Sequence, residues 1–349
     1  MCLREGAVTA SSAPRLPAIR RLREQSLRVF RLSQRAAVIA RREPRLRLLP
    51  VGVVAVIIAL AAFAGVGLFL HERGGLAVPI GNVSPDSGRV PDFGRVYLLI
   101  LENHPFHEVV GDSDAPYLNS LIAKGALGVN YHSVAKPSQP NYIALFSGDT
   151  QGVKDNNVHD LDAPNLADQM EAHGKTWSVT AENVPPDCFQ GEFASGGRDG
   201  PGNYARKHEP AISFTAISGR PERCARIHDL TAFDPAESDF QLIVPNLCHD
   251  AHDCSLDEAD TFLSGFVPRI LQSDAFANRG VLLITFDEGD RYDDRVPVIA
   301  VGEGVVPGTV SADRTTHYSL LRTLEDAWGL DCLAKACDAL DLKGLFQAP

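Results

Sequence analysis

The chain has 349 residues, 44% hydrophobic and 22% charged, which is a globular composition with length for one large domain or two small ones. Its net charge of −11 is unevenly placed: residues 1–47 hold 12 Arg, no Lys and three Glu, about +9, leaving about −20 for the remainder. So acidic a main domain lacks the basic footprint of a nucleic-acid binder, and nucleic acid is excluded as a partner.

In chain order, residues 1–47 read as a basic cytosolic arm suited to anionic lipid heads. Residues 48–70, LLPVGVVAVIIALAAFAGVGLFL, carry no charge over 23 positions, enough to span a bilayer. The Arg-rich flank places the N-terminus in the cytosol. The segment is expected to be a transmembrane signal anchor, making this a single-pass membrane protein with its main domain outside the cytoplasm. A buried core helix and a cleaved signal peptide, which would release a secreted protein, are the alternatives. Residues 71–93, with their Gly, Pro and Ser, read as a linker.

From Gly94 to the end, apolar strands alternate with helices. Strands are expected at 95–101, 176–181, 241–245, 281–286 and 296–301, and helices at 115–124, 141–147, 164–173, 257–273 and 316–328. The alternation predicts an α/β domain over 94–349, a mostly parallel sheet flanked by helices. Residues 183–235 show little periodicity and read as a loop-rich insertion. Six cysteines follow the apolar segment, an even number that suggests disulfides outside the cytosol. The close pairs Cys248/Cys254 and Cys332/Cys337 leave Cys188 for Cys224. Six cysteines allow 15 pairings, and a zinc site is the rival, without a C-x-x-C spacing to support it.

Two strands end in oxygen donors. VYLLIL runs into Glu102 and Asn103, and VLLITF into Asp287 and Glu288. Ligands bind outside the carboxyl ends of strands in parallel sheets. Four hard oxygen ligands there suit one divalent cation, Ca²⁺, Mg²⁺ or Mn²⁺. A solvated strand end is the plainer reading of either pair alone. In KPSQPNYIALFSG, Pro137 and Pro140 bracket Ser138 near a helix start, where an anion is favoured. A simple N-cap serine is the plainer reading there.

The motifs ENHPF (102–106), APYLNSLIAKGA (115–126), KPSQPNYIALFSG (136–148), YARKHEP (204–210), PNLCHDAHD (245–253), FDEGD (286–290) and THYSLLRTLEDAWGL (316–330) occur in the order of the bacterial phosphoesterase family. That family contains secreted acid phosphatases and phospholipases C, with a fold similar to alkaline phosphatase. The resemblance covers about residues 94–346, and the length is most similar to the compact mycobacterial secreted acid phosphatases. It implies that Glu102, Asn103, Ser138, Asp287 and Glu288 hold the metal and that Ser138 is the nucleophile. It further implies that His208 and His252 are catalytic, and that Asn103, Asn141, His208, His252 and His317 contact phosphate. His249 stands where the family has Asn, Cys254 where it has Gly, and Pro105 where it has a polar residue.

The chemistry agrees with these roles. Metal coordination activates a serine hydroxyl, amides and histidines bind phosphoryl oxygens, and a protonated histidine assists the leaving alcohol. A metal-dependent acid phosphatase acting on phosphate monoesters is therefore expected. A phospholipase C-type phosphodiesterase, which needs an apolar groove beside the site, is the first alternative. A phosphate-ligand-binding module without turnover is the second.

Overall fold

The structure is a computed structural model that describes residues 89–194 and 203–347. The basic arm and the apolar segment 48–70 lie outside the described residues. Among those described, no helix is long and apolar enough to cross a membrane.

Nine strands form one mixed sheet: β1 (Arg95–Leu101), β2 (Ala126–His132), β3 (Trp177–Ala181), β4 (Ile227–His228), β5 (Phe240–Val244), β6 (Gly280–Phe286), β7 (Arg295–Gly302), β8 (Thr309–Ser311) and β9 (Thr315–Thr316). The order is β4-β3-β5-β1-β6-β7-β2-β8, with β9 also paired to β2. β7 runs antiparallel to β6 and β2, and every other pairing is parallel. The expectation of a mostly parallel sheet thus meets one reversed strand.

β1 and β6 show why the centre folds as it does. RVYLLIL is buried at all but its first residue and GVLLITF throughout, as strands covered on both faces must be. They pair in register from Arg95↔Gly280 to Leu101↔Phe286. That register delivers Glu102 and Asp287 side by side at the carboxyl rim, where the Asp287 N–H donates to the Leu101 carbonyl at 2.9 Å.

The longer helices are α1 (Pro116–Lys124), α2 (Ser138–Ser147), α3 (Leu166–Ala172), α4 (Leu256–Leu271) and α5 (His317–Trp328). α2 begins three residues before the predicted start and is buried along its whole length, with α5 packed against it. α5 is held at its start by reciprocal bonds of Thr316 and Ser319 and ends at Gly329, whose φ of 63° suits glycine. The start of α1 is satisfied by α4: Asp260 accepts from the Tyr117 and Leu118 N–H groups, at 2.8 Å each. A carboxylate there also complements the helix dipole. Among its described residues, the 183–235 stretch contains only short helical turns and the two-residue β4.

Packing begins before Gly94. Val90 and Phe93 are buried, and the Phe93 ring meets Phe346 at 5.3 Å, so the end of the predicted linker closes the core. The disulfides are Cys188–Cys224, Cys248–Cys254 and Cys332–Cys337, the pairing inferred from spacing.

Glu325 of α5 is a buried acid remote from the rim. Its Oε1 accepts from the Leu333 N–H at 2.8 Å, while Oε2 is buried without a partner. Burial raises its pKa to about 7. The stability this group contributes is complete below its unfolded pKa near 4.5 and is lost as pH rises through about 7. Glu325→Gln should therefore flatten the fall in stability between acid and neutral pH, by up to about 2 kcal/mol after solvent screening. Urea unfolding of both proteins at several pH values measures this, and parallel curves would contradict it.

Candidate active site

Glu102, fully buried just beyond β1, is the hub. Its Oε2 accepts from the Ser138 hydroxyl at 3.0 Å, and its Oε1 accepts from the Tyr142 hydroxyl. Burial, reinforced by the charges of Asp287 and Asp250, raises its pKa well above the usual carboxylate range. Ser138 is the first residue of α2, with Pro137 as the N-cap. Its hydroxyl is therefore not a helix cap but is directed at the acid cluster. One turn on, Tyr142 reaches the same carboxylate because positions four apart share a helix face.

Asn103 has φ 53°, a left-handed conformation that Asn tolerates better than most residues. This turns its N–H to Asp287 Oδ1 at 3.2 Å. Burial raises the Asp287 pKa to about 6, against hydrogen bonds from the Asn103 and Glu288 amides and contacts with Ser138 and Glu102. Glu288 is raised to about 7 by burial and by Asp287.

Three oxygens here, Asn103 Oδ1, Asp287 Oδ2 and Glu288 Oε2, are buried without a hydrogen-bond partner. Orphaned acceptors are costly unless a cation or water satisfies them. His208 adds a further donor. Its Nδ1 faces Asp250 Oδ2 at 3.1 Å, which places the proton on Nδ1 as assigned from its partner. Nε2 then turns a lone pair toward Glu102 Oε2 at 3.2 Å, a contact that asks for a proton or cation between the two atoms. Burial, with the nearby Lys207 and His252, pushes the His208 pKa well below normal, so the ring is neutral. Glu102, His208 and His252 together present ligand atoms within 4.8 Å of one another. The residues present fit a metal ion.

His252 donates from Nδ1 to Asp253 at 2.6 Å, and its Nε2 lies 3.0 Å from Lys207 Nζ. An ammonium only donates, so Nε2 is the acceptor. Lys207 is itself buried, and its charge favours ionisation of Glu102, Asp250 and Glu288.

The rim thus gathers Glu102, Asn103, Ser138, Asp287, Glu288, His208 and His252. Asn141 and His317 sit behind it with their polar atoms engaged. Asn141 Oδ1 accepts from the Val134 and Ala135 N–H groups at 3.0 and 2.9 Å, and Nδ2 donates to the Ala135 carbonyl at 2.9 Å. In this structure it braces the loop before Ser138 and offers no side-chain donor to phosphate. His317 donates from Nε2 to the Asp287 carbonyl at 2.5 Å and accepts from the Tyr131 hydroxyl at 2.8 Å, and burial lowers its pKa to about 4. It holds the Asp287 backbone. The anion site at the α2 start is also partly filled, since Gln139 N–H donates to Asn156 Oδ1 at 3.0 Å.

His249 stacks on Phe262 and pairs with Glu182 at 2.9 Å. Asp290 accepts from the Tyr292 and Asp293 N–H groups at 2.7 and 2.8 Å, a turn contact that leaves it outside the cluster. Tyr142, Lys207 and Asp250 were not singled out from the sequence. Their only signal was adjacency: Lys207 beside His208, and Asp250 two residues before His252. A cavity of about 720 Å³ lies beside the Cys188–Cys224 disulfide, walled by Pro185, Pro186, Pro221 and Ile227, and none of the rim residues lines it. This cavity is therefore not the groove beside the site that a phospholipase C-type phosphodiesterase would need.

Fold and site together define an α/β protein whose sheet ends in a buried acid cluster built around a serine at a helix start. The chain belongs to the phosphoesterase family, whose profile matches residues 110–331. It is 30% identical over 266 residues to a phosphatidylinositol-3-phosphatase of Mycobacterium tuberculosis, covering 75% of this chain and 85% of that protein. It is 31% identical over 272 residues to a phosphate-repressible acid phosphatase of Penicillium chrysogenum, covering 74% of this chain and 64% of the fungal protein's length. Among solved structures, a putative sulfatase from Bacteroides thetaiotaomicron aligns with TM-score 0.50 at 14% identity, over 75% of this chain and 76% of that one, a likeness of fold alone.

Proposed function

We propose that this chain is a metal-dependent phosphatase of alkaline phosphatase-like fold that hydrolyses phosphate monoesters through Ser138, outside the cytoplasm. The observation that carries the reading is the Ser138 hydroxyl donated to buried Glu102 at 3.0 Å, beside three orphaned oxygens. The family relatives named above support the reaction class.

Glu102, Asn103, Asp287 and Glu288, with the Ser138 oxygen, would hold one divalent cation; their oxygen chemistry favours Ca²⁺, Mg²⁺ or Mn²⁺. When bound, it would lower the serine pKa and neutralise phosphoryl charge. Glu102 orients the Ser138 hydroxyl and receives its proton as Oγ attacks phosphorus. Lys207 and the start of α2, after displacement of Asn156, face the developing charge on the phosphoryl oxygens. His208 is neutral and acts by position. Proton delivery to the leaving alcohol therefore falls to the His252–Lys207 pair. Water then cleaves the phosphoserine and returns Ser138.

The test is turnover of p-nitrophenyl phosphate and of a choline phosphodiester, with and without chelator. The monoester should be preferred at least tenfold and the chelator should abolish both rates. A diester preference would favour the phospholipase C reading, and no turnover with any divalent cation would favour a binding module.

The extracytoplasmic location rests on residues 48–70 behind the Arg-rich arm. Protease added to intact cells should cut the domain after residue 94. Protection until lysis would reverse the orientation.

A further inference from the structure

We infer that the Cys248–Cys254 disulfide is a clip that positions the catalytic loop, so that reducing it switches the enzyme off. This deepens the reading above and rests on it. The cysteines lie six residues apart. Between them the loop carries His249, Asp250, His252 and Asp253, and residues 247–254 form turns and bends with no strand or helix.

The loop makes three contacts with the site. The Asp250 carbonyl accepts from the Glu102 N–H at 2.8 Å. The Asp250 carboxylate orients His208 at 3.1 Å and takes the His252 N–H at 2.8 Å. His252 Nε2 lies 3.0 Å from Lys207 Nζ. Loss of the loop's position would therefore misplace a histidine, the Lys207 partner and the backbone of Glu102 together.

The loop is also held against opposition. Asp250 is buried near Glu102 and Asp287, carboxylates that repel it. Ala251 has φ 75°, a conformation that costs a residue with a Cβ. Hydrogen bonds help, with Asp253 N–H to the Leu247 carbonyl at 2.7 Å and Asn246 Oδ1 accepting from the Cys248 and His249 N–H groups at 3.0 and 3.1 Å. The covalent link fixes the two ends regardless of charge. The other disulfides differ in place: Cys188–Cys224 walls the side cavity, and Cys332–Cys337 follows α5. Reduction by a dithiol is balanced: two thiols of the reductant become its disulfide as Cys248 and Cys254 become thiols. An oxidising compartment, as proposed for this domain, keeps the clip closed.

The experiment compares the full chain with the Cys248→Ser/Cys254→Ser and Cys332→Ser/Cys337→Ser double variants, and with native enzyme treated with dithiothreitol and then reoxidised. The first variant should lose at least tenfold in kcat for p-nitrophenyl phosphate, with an altered pH–rate profile. The second should keep at least half the native kcat. In native enzyme, activity should fall with the appearance of thiols at 248 and 254, shown by alkylation and mass mapping, and return on reoxidation. That measurement stands even where a variant does not fold. Thiols at 248 and 254 with unchanged kcat would overturn the clip, as would equal loss from Cys332→Ser/Cys337→Ser. Hydrogen exchange at 247–254 reads loop order without turnover. Unchanged protection after reduction overturns the clip, whereas an inactive native chain whose loop loosens on reduction overturns only the proposed function.

Discussion

Ser138→Ala should lower kcat for a phosphate monoester by at least about 10³-fold, roughly 4 kcal/mol of barrier, while leaving a folded protein. The size follows from covalent catalysis, in which the attacking oxygen is removed outright and only the binding groups remain. Stability should change far less. Ser138 gives one hydrogen bond to Glu102, which keeps the Tyr142 hydroxyl as a donor, so about 1–2 kcal/mol is at stake. Circular dichroism and the melting temperature would establish the fold, and rapid acid quench of the native enzyme should trap phosphoserine at position 138. Retention of more than about a tenth of the rate, about 1.4 kcal/mol, would sink the covalent route, because water attacking phosphorus directly has no need of Oγ.

That serine was legible in the sequence because two prolines and an apolar run mark a helix start. Glu102 was legible only as an oxygen donor at a strand end, with a solvated strand end as the plainer reading; that it accepts from the Ser138 hydroxyl appears only in the fold. The hidden parts are those that only tertiary pairing creates. β2, ALGVNYH, reads weakly as a strand because Gly128 and Asn130 interrupt it. It forms because β7 and β8 supply its partners, and a Cβ at Gly128 would come within 2.5 Å of Val298. The reversed direction of β7 leaves no trace in an apolar run. Tyr142 looked like one more buried residue of α2, and only the turn-to-turn geometry shows its hydroxyl meeting Glu102. Lys207 reaches His252 because its long stem crosses from the short helical turn Arg206–His208 to the 247–254 loop. For Asn141 and His317 the sequence offered motif position alone, and only the fold shows their bonds to the 134–137 loop and to the Asp287 backbone.

The second large effect concerns the acids at the rim. Without a cation, Glu102, Asp287 and Glu288 crowd one buried place, with Asp250 close by. Burial raises all four, taking Asp287 to about 6, and repulsion from neighbouring acids adds to it for Glu102, Asp250 and Glu288, the last reaching about 7. Raised carboxyl pKa values contribute stability that is complete below the unfolded values near 4 and is lost as pH rises through about 6 to 7. The metal-free protein should therefore melt at a falling temperature from pH 5 to pH 8. A divalent cation binds the ionised carboxylates and reverses the sign: its stabilisation grows with pH, and at 100 times its Kd it is worth about 2.7 kcal/mol. Chelation at pH 7.5 should abolish turnover and lower the melting temperature by several degrees, and readdition of Mn²⁺ or Ca²⁺ should restore both. Asp287→Asn separates repulsion from ligation. With one charge gone, the variant should be as stable as metal-free native protein or more so, yet gain little from added cation and turn over at least a hundredfold more slowly. A variant that keeps the full cation-dependent rise in melting temperature would remove Asp287 from the metal's ligands. A native protein whose melting curve ignores both chelator and pH would remove the cation from this rim altogether.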